Sequence, residues 1–298
     1  MIVIGSRGSA LALWQARHIA ARLAEMGEET RIEVIKTSGD KIQDVPLAKV
    51  GGKGLFTKEI EEALLDRSID VAVHSLKDVP TELPAGLTLA AIPEREEPRD
   101  AVLGCAVADF RAGLRIGTSS LRRSAQLLTY RSGLRIEMLR GNVDTRLRKL
   151  DEGQFDAIVL AAAGLRRLGL EARIRGLIPV EIMCPAAGQG ALAIETRDDG
   201  GAAQQLAAKL DHGPSRAAVT AERALLLVLG GGCQVPVGAY ARLEDGQVRI
   251  IAIVAQPDGA RVIRGELTGP DPAEAGAALG RTLLARGARE ILEEVYSA

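Results

Sequence analysis

Strand-like and helix-like patterns alternate through the first two thirds of this sequence, and that alternation constrains the fold more than any other feature. A short apolar strand at residues 2–4 is followed by a helix that ends at Gly27, with an apolar stripe at helical spacing formed by Ala12, Ala16, Ile19, Leu23 and Met26. Further strands are predicted at residues 31–37 and 69–73, with a helix at 57–67 between them. The alternation predicts an α/β fold class, in which helices cover the faces of a sheet.

A second α/β unit is predicted to begin near Asp100. Its strands are predicted at residues 101–103, 115–117, 135–139 and 157–160, and its helices at residues 120–131 and 143–152. The segment before it, residues 92–98, is polar and bracketed by prolines, so we interpret it as an interdomain hinge.

The pattern changes after Leu210. A long apolar helix ends at Gly230, and the remaining predicted elements are strands at 237–242, 247–254 and 261–267, followed by helices at 272–286 and 289–295. Strands and helices that are segregated in this way indicate a smaller α+β domain with an antiparallel sheet.

Composition limits the partners and the compartment. The 298 residues are too many for one ordinary core and suit two or three domains. A net charge of −1 gives no overall attraction to nucleic acid or anionic membranes, and an aromatic content of 2% leaves little for base stacking. Three irregularly spaced cysteines argue against a disulfide framework, and no signal peptide or membrane-spanning run is apparent. We therefore expect a cytoplasmic protein with no nucleic-acid or membrane partner.

Arginines recur where predicted strands give way to loops. Arg7 follows the first strand, and others follow later strands: Arg122, Arg123, Arg140, Arg146, Arg166 and Arg167. Ligands of open α/β sheets bind outside the carboxyl ends of the strands, where helix N-termini add exposed N–H groups. Any single arginine could be an ordinary solvated residue, but the same feature at four strand ends indicates an anion site. The expected ligand carries several carboxylates or phosphates.

One acidic residue, Asp78, stands at another strand end, directly after Lys77. A carboxylate among arginines is poorly suited to binding an anion. It is better suited to stabilising a developing positive charge or accepting a proton. The alternative is structural: Asp78 pairs with Lys77 or caps the turn before Pro80.

Cys233 lies on a glycine hinge, in the segment Gly230-Gly231-Gly232-Cys233-Gln234-Val235-Pro236. The glycines remove side-chain bulk, so a large group could approach the thiol. A functional thiol and a plain loop cysteine are both compatible with this motif taken alone.

Two other patterns bear on the chemistry. Residues 48–56 are glycine-rich and lack apolar periodicity until Phe56, and no Ser or Thr follows Lys53, so a flexible lid is favoured over a phosphate-binding loop. The histidines, His18, His74 and His212, have no Cys or His partner at ligand spacing, so no metal site is expected.

Seven stretches of the sequence, in order, resemble the motifs of the porphobilinogen deaminase family, also called hydroxymethylbilane synthase: residues 6–15, 46–56, 74–80, 117–123, 139–146, 186–190 and 231–236. They extend over nearly the whole chain. The departures are slight: Ser6 stands where threonine is common, and Cys184 is an extra thiol before Pro185. Neither position is expected to carry the chemistry.

The resemblance implies a transferase of tetrapyrrole (heme and porphyrin) biosynthesis. Such enzymes remove ammonia from four porphobilinogen molecules and join them head to tail into linear hydroxymethylbilane. Synthesis is primed by a dipyrromethane cofactor, held by a thioether to the cysteine that matches Cys233. Asp78 matches the carboxylate that stabilises the azafulvenium cation left by ammonia loss.

The resemblance also implies further site residues and domain limits. The cofactor-binding residues it implies are Ser75, Lys77, Thr118, Ser120, Arg122, Arg123 and Arg140. The implied substrate-binding residues are Arg7, Ser9, Gln15, Arg140, Arg146 and Arg167, and the implied lid residues are Lys49, Lys53 and Phe56. The implied architecture is a monomer with two periplasmic-binding-protein-like α/β domains around a cleft, residues 1–93 plus 190–209 and residues 99–184, and an α+β domain at residues 213–298.

Two alternatives from other functional classes remain open at this point: a solute-binding protein of the same two-domain shape and a polyanion-binding regulatory domain. A solute-binding protein would normally carry an export signal and has no need of Cys233. A regulatory domain would lack both this thiol and Asp78. Intact mass separates the three, because only the deaminase should exceed its sequence mass by two linked pyrroles.

Overall fold

The computed structural model describes residues 1–41, 54–230 and 235–297. In chain order the strands are β1 (Ile2–Ser6), β2 (Thr30–Val34), β3 (Val71–Ser75), β4 (Leu87–Ala91), β5 (Asp100–Leu103), β6 (Arg115–Gly117), β7 (Arg135–Glu137), β8 (Ala157–Ala161), β9 (Gly176–Leu177), β10 (Leu192–Arg197), β11 (Val237–Glu244), β12 (Gln247–Ala255) and β13 (Val262–Gly269). The helices are α1 (Ala10–Glu25), α2 (Ser38–Lys41), α3 (Lys58–Leu65), α4 (Leu121–Tyr130), α5 (Val143–Asp151), α6 (Ala162–Arg167), α7 (Ala202–Ala208), α8 (Gly213–Leu229), α9 (Pro272–Leu283) and α10 (Arg289–Ser297).

The first sheet has the spatial order β2-β1-β3-β10-β4. Strand β1 runs parallel to β2 and β3, whereas β10 is antiparallel to β3 and β4. Helix α1 packs on this sheet through most of the predicted apolar stripe, whose buried members are Ala12, Ala16, Ile19 and Leu23. Met26, the last residue of the predicted stripe, is the C-cap and is exposed. Because β3 is central, the residues that follow it lie at the middle of the sheet edge.

The second sheet has the order β7-β6-β8-β5-β9. Strand β6 is parallel to β7 and β8, and β5 is antiparallel to β8 and β9. All five strands lie between β4 and β10 in the sequence. The chain therefore leaves the first sheet after β4, completes the second sheet, and returns to the first sheet as β10.

The third sheet, β11-β12-β13, is entirely antiparallel, and helices α8 and α9 pack on it. Helix α8 ends as predicted at Gly230, which has a left-handed φ of 65°. The helix predicted at 272–286 stops earlier: a π-helical turn, Leu284–Ala288, follows Leu283, and within it Gly287 adopts a φ of 100° that no regular helix contains. The predicted fold class is confirmed, with two α/β sheet units and a smaller C-terminal α+β unit.

A fully buried carboxylate, Glu222 of α8, joins the three sheets. It accepts hydrogen bonds from Arg95 Nη1 (2.7 Å) and Nη2 (3.1 Å), from the Gly188 amide (2.6 Å) and from the Ala241 amide (2.7 Å). Arg95 belongs to the segment that leaves the first sheet, Gly188 to the segment that returns to it, and Ala241 to β11. The predicted hinge is therefore anchored at Arg95 by a charge-assisted pair.

Replacing Glu222 should test how much this junction contributes to stability. Glu222→Gln keeps the shape but directs an amide NH₂ at groups that are themselves donors and leaves Arg95 buried without a counter-charge. We expect the free energy of unfolding to fall by about 3–5 kcal/mol, measured by urea denaturation. Glu266→Gln, which breaks the exposed pair of Glu266 with Arg249, should leave the midpoint unchanged. Equal midpoints for the two variants would contradict the junction's role.

Candidate active site

A cleft of about 760 Å³ opens at the carboxyl ends of the parallel strands in both α/β sheets. Its walls include residues that follow β1, β2 and β3 on one side and β7 and β8 on the other. This is the edge at which α/β folds bind ligands. The N-terminal residues of α1 and α5 also line it, and these helix ends carry exposed N–H groups and the positive end of the helix dipole.

Most of the predicted site residues meet in this cleft. The lining includes Arg7, Ser9, Phe56, Ser75, Lys77, Asp78, Arg123, Arg140, Arg146 and Arg167. The structure places four other predicted residues behind the lining: Gln15, Thr118, Ser120 and Arg122. The predicted lid residues Lys49 and Lys53 and the predicted cofactor cysteine, Cys233, lie outside the described residues.

The loop after β3 carries Lys77 and Asp78 into the cleft on a single 3₁₀ turn. The Leu76 amide at its start donates to the Ala191 carbonyl (3.0 Å). Burial lowers the pKa of the Lys77 ammonium, and Arg123 reinforces this shift while the Asp78 carboxylate opposes it. Within the described part of the chain no hydrogen bond reaches the Asp78 carboxylate, so the turn-capping alternative finds no support there.

Arg122 and Arg123 both bind the buried carboxylate of Asp100, the first residue of β5. Arg122 Nη1 donates to Asp100 Oδ2 (2.8 Å) and to the Cys184 carbonyl (2.7 Å). Arg123 donates to Asp100 Oδ1 through Nε (3.0 Å) and Nη2 (2.8 Å), and to the Val159 carbonyl (3.1 Å). Burial alone would raise the pKa of Asp100, but the two guanidinium groups outweigh it and hold that pKa far below its usual range.

Pairing with Asp100 gives different positions to Arg122 and Arg123, which the sequence analysis assigned to the same role. Arg123 lines the cleft, whereas Arg122 lies beneath it. Thr118 and Ser120 shape the same helix start from behind, because Thr118 Oγ1 accepts from the Ser120 amide (3.2 Å) and Ser120 Oγ from the Arg123 amide (3.4 Å). Sequence reasoning did not assign Asp100 a role. Its signal was an acidic residue opening an otherwise apolar strand.

Two arginines in the cleft carry positive charge that is poorly compensated. Burial lowers the pKa of Arg146 to about 10; the neighbouring charges of Arg123 and Arg140 add to the shift, and the Asp78 carboxylate partly opposes it. Burial likewise lowers the pKa of Arg167 to about 10, although Glu96 opposes it. Both remain charged at neutral pH, so the cleft presents clustered cations that an anionic ligand would stabilise.

Carbonyl groups orient these two arginines without neutralising them. Arg146 Nε donates to the Gly141 carbonyl (2.7 Å), and Arg167 Nη2 donates to the Gly190 carbonyl (2.6 Å). Gly190 has a φ of +88°, and a Cβ there would lie 2.3 Å from the Glu96 carbonyl oxygen. Only glycine fits this position, so the backbone that holds Arg167 depends on it.

The residues that cap the two helices contribute polar groups to the cleft. Ser9 Oγ accepts from the Ala12 amide (3.3 Å) at the start of α1, and Asn142 accepts from the Thr145 amide (2.9 Å) at the start of α5. Gln15 acts from behind, where its Nε2 donates to Ser75 Oγ (2.8 Å).

One rim of the cleft combines an aromatic ring with cations. The Arg7 guanidinium lies over the Phe56 ring, 4.1 Å from its centroid, which joins a predicted substrate residue to a predicted lid residue. Lys36, just beyond β2, also lines this rim, and the sequence analysis missed it. It was predicted to lie inside the strand at residues 31–37, whereas β2 ends at Val34, two residues before it.

Two features are absent from residues 1–41, 54–230 and 235–297. Among them, no group of three His, Cys, Asp or Glu side chains could hold a metal ion. Nor is any helix within these ranges long and apolar enough to cross a membrane.

Two protein-family models match this chain. Residues 2–205 match the model described as "Porphobilinogen deaminase, dipyromethane cofactor binding domain", and residues 216–285 match "Porphobilinogen deaminase, C-terminal domain". The cleft residues described above all fall within the first match.

Curated relatives agree over the full length. Proteins named porphobilinogen deaminase are 54% identical in Nitratidesulfovibrio vulgaris (99% of this chain, 97% of the relative), 51% in Syntrophobacter fumaroxidans (100% and 99%) and 50% in Brevibacillus brevis (98% and 96%). A distant likeness extends to the solved structure of a periplasmic substrate-binding protein from Coxiella burnetii, at 14% identity and a TM-score of 0.44 over 72% of this chain and 93% of that one.

These matches confirm two predictions made from the sequence. The enzyme class is a transferase, hydroxymethylbilane synthase, and the matched domain is one that binds a dipyrromethane cofactor. Because both family models and relatives of at least 50% identity cover nearly the whole chain, it belongs to the porphobilinogen deaminase family.

Proposed function

We propose that this enzyme deaminates four porphobilinogen molecules and joins them head to tail into hydroxymethylbilane, with release of four ammonia, on a dipyrromethane cofactor bound covalently through Cys233. The observation that carries the proposal is the Asp78 carboxylate in a cleft whose charged lining groups are mainly cations, among them Lys77, Arg146 and Arg167. The other carboxylate of the lining, Asp144, is exposed in the first turn of α5. Such a lining suits a ligand that carries many carboxylates and develops one positive charge.

The residues present fit the cofactor. Each of its two pyrroles carries an acetate and a propionate, and burial lowers the pKa values of Lys77 and Arg123, a shift that the cofactor carboxylates would oppose. We assign the cofactor carboxylates to Lys77, Arg123 and Arg140, with Ser75 as a neutral donor. When bound, the cofactor supplies the pyrrole carbon to which the first substrate is joined.

Three of the predicted cofactor ligands act indirectly in this proposal. Arg122 does not line the cleft, so we assign it to Asp100, where it holds the carboxylate that orients Arg123. Thr118 and Ser120 shape the same helix start. Each therefore positions a residue that touches the ligand.

Asp78 is the proposed catalytic residue. Loss of ammonia leaves positive charge on the substrate pyrrole, and a carboxylate oxygen that accepts the pyrrole N–H stabilises that charge more in the transition state than in the ground state. Arg7, Arg140, Arg146 and Arg167 bind the acetate and propionate groups of incoming substrate, and Ser9 adds a hydroxyl at the start of α1. Gln15 supports Ser75.

We also propose the domain division 1–93 plus 190–209, 99–184 and 213–298. Its support is that β1–β4 and β10 share one sheet, β5–β9 a second and β11–β13 a third. We further propose a monomer that acts in the cytoplasm and has no nucleic-acid partner. The net charge of −1 and the scarcity of aromatic residues support the last of these, the absence of a nucleic-acid partner.

Attachment of the cofactor to Cys233 can be tested by intact mass. The purified enzyme should exceed its sequence mass by two linked pyrroles, and Cys233→Ser should lose both this mass and turnover. Cys184→Ser and Cys105→Ser are matched controls that should keep both, because burial raises the pKa of the Cys184 thiol to about 12 and also raises that of Cys105. Added mass on a peptide containing Cys105 or Cys184 would refute the assignment.

Asp78→Asn tests the catalytic carboxylate. The amide keeps the shape and one acceptor oxygen but removes the charge, so turnover should fall by about 10²–10³-fold while the fold and the cofactor mass are retained. Asp78→Glu keeps the charge at a displaced position and should retain more activity. Near-wild-type turnover of Asp78→Asn would move the catalytic role elsewhere, and an unfolded variant would favour a structural one.

The cleft arginines should serve binding at the expense of stability. Since burial already disfavours the charged forms of Arg146 and Arg167, Arg146→Leu and Arg167→Leu should not lower the unfolding midpoint. Both should keep the cofactor but stall elongation, with enzyme-bound intermediates visible by mass after substrate is added. Normal product release by either variant would exclude that arginine from the binding site.

A further inference from the structure

One arginine outside the cleft reaches the segment that follows Asp78. Arg223 lies on α8 and donates to three successive backbone carbonyls: Val79 (3.2 Å from Nη1), Pro80 (2.7 Å from Nη2) and Thr81 (3.1 Å from Nη2). The planar guanidinium thus donates to one short stretch of backbone from two nitrogen atoms, whereas an ammonium would donate from a single nitrogen.

This contact carries an electrostatic cost. Arg223 is half-buried, and burial lowers its pKa, partly opposed by the carboxylate of Glu195 on β10. Its hydrogen-bonding partners in the described parts of the chain are neutral carbonyls. Partial burial of the Arg223 cation costs desolvation energy, and neutral carbonyls offset that cost less than a carboxylate would. The reason for an arginine here is therefore sought in the position of the loop relative to the cleft.

The opposite end of the same loop, its start, is bound to β10 and to the residue just before that strand. His74, just before the loop, is buried and lies 3.0 Å from Glu195 (Nε2 to Oε2). The Leu76 amide donates to the Ala191 carbonyl just before that strand. Strand β10 therefore holds the start of the loop, and Arg223 of α8 holds its end.

We propose that Arg223 is a positioning residue for Asp78. By binding residues 79–81, it sets the Asp78 carboxylate relative to α8, the helix that ends at Gly230 and leads to the segment containing Cys233. This inference rests on the role proposed above for Asp78.

The test compares two arginines of one helix. Arg223→Met removes all three hydrogen bonds. Arg216→Met is the matched control, because Arg216 also lies on α8 and also donates to backbone carbonyls of the first sheet unit, those of Leu89 (3.1 Å) and Ala90 (3.0 Å), but away from the active-site cleft. Both variants should unfold at lower temperature. Only Arg223→Met should lose kcat, by about 10- to 100-fold, with KM and cofactor mass close to wild type.

A double-mutant cycle with Asp78→Asn shows whether the loss passes through Asp78. If it does, Arg223→Met should have little further effect on kcat in the Asp78→Asn background. Losses that multiply, or a loss of kcat equal to that of Arg216→Met, would overturn the proposal. If Arg223→Met does not fold, Arg223→Lys takes its place in the cycle. Lysine keeps the positive charge but donates from a single nitrogen, so an unchanged kcat in that variant would also overturn the proposal.

The two proposals fail in different ways. Near-wild-type turnover of Asp78→Asn alone removes the catalytic role of Asp78 and, with it, the basis for positioning by Arg223. A large effect of Asp78→Asn together with none of Arg223→Met leaves the proposed function intact and refutes only the positioning role.

Discussion

The buried carboxylate of Glu222 is the interaction on which the rest of the structure depends. It is joined through Arg95 to Gln189, whose carbonyl accepts from Arg95 Nε (2.8 Å) and whose side-chain Nε2 donates to Asp100 Oδ1 (3.0 Å) and the Pro98 carbonyl (2.7 Å). Glu222, Gln189 and Asp100 are all fully buried. One polar network therefore runs from the third sheet through both crossing segments to the start of β5. Losing any member would leave a buried group unpaired, which is why such networks specify a single arrangement.

That arrangement sets the charge of the cleft. Asp100 compensates Arg122 and Arg123 beneath the surface, so those two cations are stabilised by protein groups. Arg146 and Arg167 are held instead by the carbonyls of Gly141 and Gly190, which orient them without cancelling their charge. Arg122 therefore only helps to build the site, Arg123 both builds and lines it, and Arg146 and Arg167 are left with charge for a ligand. This difference also explains why a protein with a net charge of −1 can present a strongly cationic cleft.

Much of this site could be predicted because the positions of strands along the sequence, and the residues that follow them, can be read from local patterns. Alternating patterns imply parallel strands, and residues that follow parallel strands meet at one edge, so Arg7, Asp78, Arg140 and Arg167 were correctly expected to lie together. Lys36 obeys the same rule but was not predicted, because the strand expected at residues 31–37 contained it, whereas β2 ends at Val34. The break between the helices predicted at 272–286 and 289–295 was anticipated, but the first helix was expected to end three residues late, because a π-helical turn, Leu284–Ala288, follows Leu283.

The sequence by itself determined the α/β and α+β units, the strand ends that supply the cleft and the family, since periodicity and motifs can be read from neighbouring residues. The tertiary structure alone decided that Arg122 serves Asp100 while Arg123, one residue away, reaches the cleft. It alone brought Arg223 onto residues 79–81 across more than 140 positions of sequence. The physical reason is that the compensation of a charge depends on burial and on distances of a few ångströms between groups that are remote in the chain.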